Sequence, residues 1–440
     1  MKLLLRCVVA VCVCLLAVIP AWAQNSGGLP GKEHVLAGEA YKQAERVVLL
    51  NDEVHGEVVH YQFDVPVGPG PFDVIRMHRV VKEVRPGRPA KKMEGILLLP
   101  GIPQMFEAVF LQAPLTGHPV DQSSAALYLA LNDIDVWGMD YGHSFVPYPS
   151  TEFGFFRGWG VERDTVDAQT ALSIARWLRV TSEQGNGPIH MLGFSYGGLV
   201  VYAAASEDTQ RPGNLRNIKG LIPVDGTPIK VPPGSADQLN SCNTAKATRA
   251  SLDAGVYHVD SSATRIRGLA ALNYPDALSP LSGAASGTFP AFPAYTFTNF
   301  QASQVNSVRG RTLGGTYTVT PPSVTLFFAE ALRIIRLQSV TPAYFPLQIN
   351  YEGAASRCDS DLFSVGFDDH VGEIEVPIFY IARQEANFYS TTVTGSSDVS
   401  KLVVNPTLDP SLYGHADFFL ANNAASAIWQ PILDWIRAHR

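Results

Sequence analysis

The stretch Ile189-His190-Met191-Leu192-Gly193-Phe194-Ser195-Tyr196-Gly197-Gly198-Leu199-Val200-Val201 sets a short apolar run against a small-residue apolar segment, with a serine at the junction. Locally this is a buried strand that turns sharply into a helix at Ser195. A serine on so tight a turn takes a strained backbone conformation that lifts its hydroxyl clear of the sheet. Small neighbours two positions away on each side then let strand and helix approach. Gly193 and Gly197 hold those positions. A bare G-x-S-x-G also arises by chance, so the strand before it and the helix after it carry the weight. Ser195 is the candidate nucleophile.

The same type of apolar run recurs on both sides of this turn. Gly95 to Leu99, Ile134 to Asp140 and Lys219 to Asp225 are short and continuous, as strands buried on both faces are. A helix is expected over 162–181, where Val161, Thr165, Ala168, Leu172 and Ala175 share one face. Strands alternating with helices make a mostly parallel, three-layer α/β sheet. Ahead of it, Arg46 to Leu50, Glu57 to Phe63 and Phe72 to Val81 alternate as antiparallel, half-exposed strands do. The Gly-Pro-rich pieces 67–71 and 85–89 are turns between them.

The chain has 440 residues, 46% of them apolar, enough for a large core in one domain with an insertion or in two domains. Its first residues are set apart. Lys2 and Arg6 flank and interrupt an apolar stretch from Leu3 to Ile19, followed by Pro20 and Ala21-Trp22-Ala23. That is the pattern of a secretory signal peptide cleaved after Ala23; the stretch is too short, and carries Arg6 within it, for a membrane anchor. Cys7, Cys12 and Cys14 leave with it, and neither Cys12 nor Cys14 has the approach a lipid-modified cysteine needs. The remaining 417 residues carry 31 basic against 40 acidic side chains, a balance that does not attract nucleic acid. Cys242 and Cys358 remain, 116 residues apart; paired in an oxidising compartment they stabilise by about 4 to 5 kcal/mol, and unpaired they are two buried thiols. Neither a Cys-x-x-Cys pair nor a His-Cys cluster supports a zinc site.

On these residues the chain resembles the α/β-hydrolase superfamily over roughly 93–225 and 375–438. The resemblance implies that one oxyanion amide comes from Ile102, in Leu99-Pro100-Gly101-Ile102-Pro103, and the other from Tyr196. Proline stands before the glycine where the family often has histidine. It also implies a histidine after the last strand, and His415 follows Lys401 to Val404 and leads into a helix bearing Ile428, Ile432, Trp435 and Ile436. The triad acid is implied after Val376 to Ala382, where Glu385 is the leading candidate. Asp225 is the alternative, at the end of the preceding strand, with Asp398 and Asp409 behind. Asp140 is taken as structural, and His143 as a surface-loop residue that alternatively lines the pocket.

The implied domain organisation is a leader at 1–23, a core at 24–225 and 373–440, and a cap or lid at 226–372 containing both cysteines. Helical pieces such as Val324 to Leu332 and polar loops such as 282–288 are expected there. The aromatics Phe153 to Trp159, Phe292, Tyr295, Phe297 and Phe300 either build an apolar substrate pocket or pack as core. The implied protein is a secreted or periplasmic serine esterase without metal or organic cofactor, acting on a small-molecule ester with an apolar portion and without a stable membrane anchor. A peptidase or amidase of the same fold, or a non-catalytic binding module, are the alternatives.

Overall fold

Each apolar run folds as a strand, because a backbone buried on both faces must satisfy its hydrogen bonds in a ladder. The computed structural model describes residues 32–52, 56–90, 92–112, 124–273, 313–319, 322–383, 388–404 and 413–440. The expected leader, the 282–288 loop, Glu385, Asp409, Phe292, Tyr295, Phe297 and Phe300 lie outside them. The first strands are β1 (Glu45–Asp52), β2 (Gly56–Pro66), β3 (Val74–Arg85), β4 (Arg88–Pro89), β5 (Glu94–Leu99), β6 (Ile134–Asp140), β7 (Ile189–Phe194) and β8 (Ile218–Val224). Short strands β9 (His258–Asp260), β10 (Gly315–Val319), β11 (Pro322–Leu326) and β12 (Tyr344–Pro346) follow, and then β13 (Ile378–Ala382) and β14 (Val399–Val403).

The main sheet runs β1-β2-β3-β6-β5-β7-β8-β13-β14, with β4 paired to β3. The ladders from β1 to β6 are antiparallel and those from β6 to β14 parallel. Strand alternation divides the core between the two faces. Ile96, Leu98, Leu192 and Phe194 face Phe106, Leu127, Ile432 and Trp435, whereas Leu97, Leu99 and Met191 face Leu172, Ala175, Val200 and Ala204. Each fully buried leucine contributes about 1.5–3 kcal/mol. In register, Leu99 lies opposite Gly193 and Phe194 opposite Val224, so the carboxyl ends of β5, β7 and β8 meet at one edge, with β13 beside β8. Ligand sites of open parallel sheets form at such edges.

Between the adjacent strands β8 and β13 the chain makes a long insertion. Its helices Ala236–Asp253 and Leu347–Cys358 are joined by the disulfide Cys242–Cys358, which settles the pairing that the sequence left open. Val324 to Leu332 is not one helical piece. Val324, Thr325 and Leu326 belong to β11, where Tyr317, Thr316 and Gly315 of β10 are their respective antiparallel partners, and the helix begins only at Ala331. Pairing favours the β-branched segment as a strand, and a strand partner is invisible in a local window.

The insertion is tied to the core by buried polar contacts. The helix Val161–Thr181 has Gly160 at its N-cap and so no capping side chain of its own. Glu352 of the insertion supplies the missing acceptor, its carboxylate taking the Glu162 N–H at 3.0 Å. Arg333 donates to Leu420 O at 2.8 Å, while Ser356, donating to Ile229 O at 2.6 Å, ties the insertion to its own first residues. Among the described residues no helix is long and apolar enough to cross a membrane.

Candidate active site

β7 ends at Phe194, and Ser195 turns the chain into the helix Tyr196–Thr209 at φ 54° and ψ −117°, a conformation side chains rarely adopt. Three glycines make the turn possible. A Cβ on Gly193 would lie 2.0 Å from Gly197 O, one on Gly197 2.4 Å from Leu99 O, and one on Gly198 2.4 Å from Gly226 Cα. The backbone of Ser195 is clamped to the end of β8: its N–H donates to Val224 O at 3.2 Å, and its O accepts from Thr227 N–H at 2.7 Å. Ser195 itself stays half-buried.

The structure brings His415 beside this turn. Its ring stacks on Phe194, with centroids 4.6 Å apart, and its Nδ1–H donates to Asp225 Oδ2 at 2.5 Å. The carboxylate on His415 is thus that of Asp225, the alternative acid. Asp225 is buried, sits at φ 41°, and donates its own N–H to Ile381 O at 2.7 Å. Burial opposes its charge, but the hydrogen bond from His415 and the charge of Arg383 hold its carboxyl below the usual carboxylate range. Asp398, another candidate, lies before β14 with its carboxylate on His439 at 3.1 Å, away from His415.

The loop after β5 passes over the serine: a Cβ on Gly101 would stand 2.8 Å from Ser195 Cβ and 3.3 Å from Ser195 Oγ. Ile102 follows in that loop. Tyr196 opens the helix, so its N–H belongs to the first turn, whose amides have no intrahelical acceptor. The phenol of Tyr196 is buried and donates to Asp164 Oδ2 at 2.7 Å, which anchors the start of the helix from below.

Several neighbours have other places. Asp140 accepts the Phe106 N–H at 2.6 Å and pairs with His78 at 3.0 Å, both buried. His143 is not on a surface loop but only 1% exposed; burial, followed by the charge of Arg163, pushes its imidazole down to about 3. Phe153, Phe155 and Trp159 pack around buried Phe156, Ala343 and Tyr344 as a separate cluster. Sequence reasoning missed Arg383, whose Nε–H donates to Asp225 Oδ2 at 2.6 Å. It missed Asp417 as well, whose carboxylate accepts the Gly414 N–H at 2.7 Å and the Gly314 N–H at 2.6 Å. For Asp417, two residues beyond His415, closeness in the chain was the available signal; Arg383 offered none.

No family model and no curated protein sequence matches the chain. Among solved structures it resembles a candidate lipase from Sulfolobus solfataricus, with TM-score 0.59 and 18% identity over 91% of this chain and 100% of that one. It also aligns with a soluble variant of monoglyceride lipase from Saccharomyces cerevisiae, TM-score 0.41 and 13% identity over 84% and 93%. A third alignment is with epoxide hydrolase A from Mycobacterium thermoresistibile, TM-score 0.42 and 12% identity over 86% and 98%. The sheet order, the turn at Ser195 and the first of these likenesses together give the chain the fold of the α/β-hydrolase superfamily.

Proposed function

We propose that the protein is a serine hydrolase that cleaves a carboxylic ester with an apolar portion. The observation that carries this reading is the His415–Asp225 hydrogen bond at 2.5 Å, formed beside a serine in a strained turn. In this reading Asp225 fixes the His415 tautomer with the proton on Nδ1, leaving Nε2 to accept the Ser195 proton. Ser195 Oγ attacks the ester carbonyl, and the amides of Ile102 and Tyr196 receive the charge that builds on oxygen, each worth about 3–4 kcal/mol. His415 returns the proton to the leaving alcohol. Water, activated by the same imidazole, then releases the acid from the acyl-enzyme.

Residues 226–372 act as a cap over the mouth, on a core of residues 24–225 and 373–440. The two ties from Glu352 and Arg333 to the core support that arrangement. Export after loss of residues 1–23 is supported by the disulfide, a bond that persists in oxidising compartments.

The test is fluorophosphonate labelling and nitrophenyl ester turnover by the mature protein. Ser195→Ala should abolish labelling. Asp225→Asn should lower kcat by about 10⁴-fold, while Glu385→Gln stays within a few-fold of wild type. The reverse pattern would return the acid to Glu385. Folded wild-type protein that neither labels nor turns over any ester would remove the reading in favour of a binding module; cleavage of amides instead would favour a peptidase.

A further inference from the structure

Asp225 Oδ2 has two charged or chargeable donors. His415 Nδ1–H reaches it at 2.5 Å and Arg383 Nε–H at 2.6 Å, while the Arg383 backbone N–H reaches Oδ1 at 3.3 Å. Arg383 directly follows β13, so the strand that holds the Asp225 N–H through Ile381 O also delivers the guanidinium. Triad chemistry needs only a carboxylate and an imidazole. A guanidinium is charged at every accessible pH, so a permanent positive charge here shares an oxygen with a ring that must itself become positive.

We propose that Arg383 is a positioning residue for the serine-hydrolase reaction: it orients the Asp225 carboxylate and, by its fixed charge, makes His415 release its proton more readily. This inference rests on the proposed function of the site. Two consequences follow for the reaction. The imidazole stays free to act as a base at lower pH, and the imidazolium that forms after attack gives its proton to the leaving alcohol with less hold from Asp225. Among the described residues, the charged and titratable groups tied to His415 are Asp225 from the end of β8 and Arg383 from the end of β13, with Asp417 of the His415 loop within the field of Arg383. Burial raises the Asp417 carboxyl, and the charge of Arg383 opposes that rise after the Gly414 and Gly314 N–H groups.

The experiment compares wild type, Arg383→Gln and Arg383→Lys, following the His415 ring by NMR against pH, with His415→Gln for assignment. The kcat/KM profile on a nitrophenyl ester is measured in parallel. In Arg383→Gln, the ring titration and the acid limb of the profile should both move up by about one pH unit, as loss of a neighbouring like charge requires. Arg383→Lys, which keeps the charge, should move them by less than about half as much. A ring titration in Arg383→Gln within about 0.2 unit of wild type would overturn the proposal. Should Arg383→Gln not fold, wild type decides: the Arg383 Nε–H signal must change with pH in step with the His415 ring, and a signal without that inflection overturns the proposal equally. Ring titration that moves in a protein inert to fluorophosphonate removes the hydrolase reading but keeps the coupling. Labelling of Ser195 without movement does the reverse.

Discussion

Ser195 and Asp225 stand at the carboxyl ends of adjacent parallel strands, and both hold positive φ, 54° and 41°. The two are linked by one peptide step: the Ser195 N–H donates to the carbonyl of Val224, the residue before Asp225. Ladder bonding thus runs to the last possible residue on each strand, and both chains then leave the pleat at the same level. A non-glycine residue held in such a region costs about 1–3 kcal/mol, maintained by the surrounding structure.

Relieving the strain at Ser195 should stabilise the fold. Glycine occupies φ 54°, ψ −117° without penalty, whereas alanine does not. After about 1 kcal/mol for the freer unfolded chain, Ser195→Gly should exceed Ser195→Ala in stability by about 1 kcal/mol. The comparison is a urea midpoint at unchanged m-value. Ser195→Gly falling below Ser195→Ala would mean that the turn is unstrained.

Gly101 gives a second test, of the loop rather than the serine. An added Cβ would lie 2.8 Å from Ser195 Cβ, and Ser195 is clamped by Val224 and Thr227, so the loop must yield. Shifting the Ile102 amide off the oxyanion position should lower kcat by about 10²-fold or more, with KM little changed. Thermal unfolding should stay near wild type, since the crowding is at the sheet edge. Near-normal kcat in Gly101→Ala would remove this loop from the proposed oxyanion site.

Much of the architecture was readable because its causes are local. Gly193, Gly197 and Gly198 are needed for contacts within a few residues of Ser195 or against the neighbouring strand ends, and the buried strands announce themselves as apolar runs. The carboxylate beside His415 was not readable in that way. Asp225 and Glu385 both follow strands that end at the same edge, and the choice between them depends on how the His415 loop folds back, a distance of 190 residues in the chain for Asp225. Arg383 was hidden for the same reason: its partner is 158 residues away. The β10–β11 hairpin escaped because β11 alone has the composition of a short helix or a strand, and only pairing decides.

Asp417 links the loop of His415 to the insertion in a pH-dependent way. Its side chain is fully buried; Oδ2 accepts the Gly314 and Gly414 N–H groups, and Oδ1 has no hydrogen-bond partner among the described residues. Burial pushes this carboxyl up to about 7, against the pull of the two N–H groups and Arg383. The folded value lies above the unfolded value of about 3.9. The folded state therefore binds the proton more tightly, and the stability this contributes is present below about pH 4 and lost as pH rises through about 7. Asp417→Asn keeps an acceptor for both N–H groups without the titration. From pH 4 to pH 8, urea unfolding should show wild type losing stability relative to Asp417→Asn, by at most about 4 kcal/mol, with no further change above. A difference that stays constant across that range would mean that Asp417 is ionised throughout, and that the two N–H groups outweigh its burial.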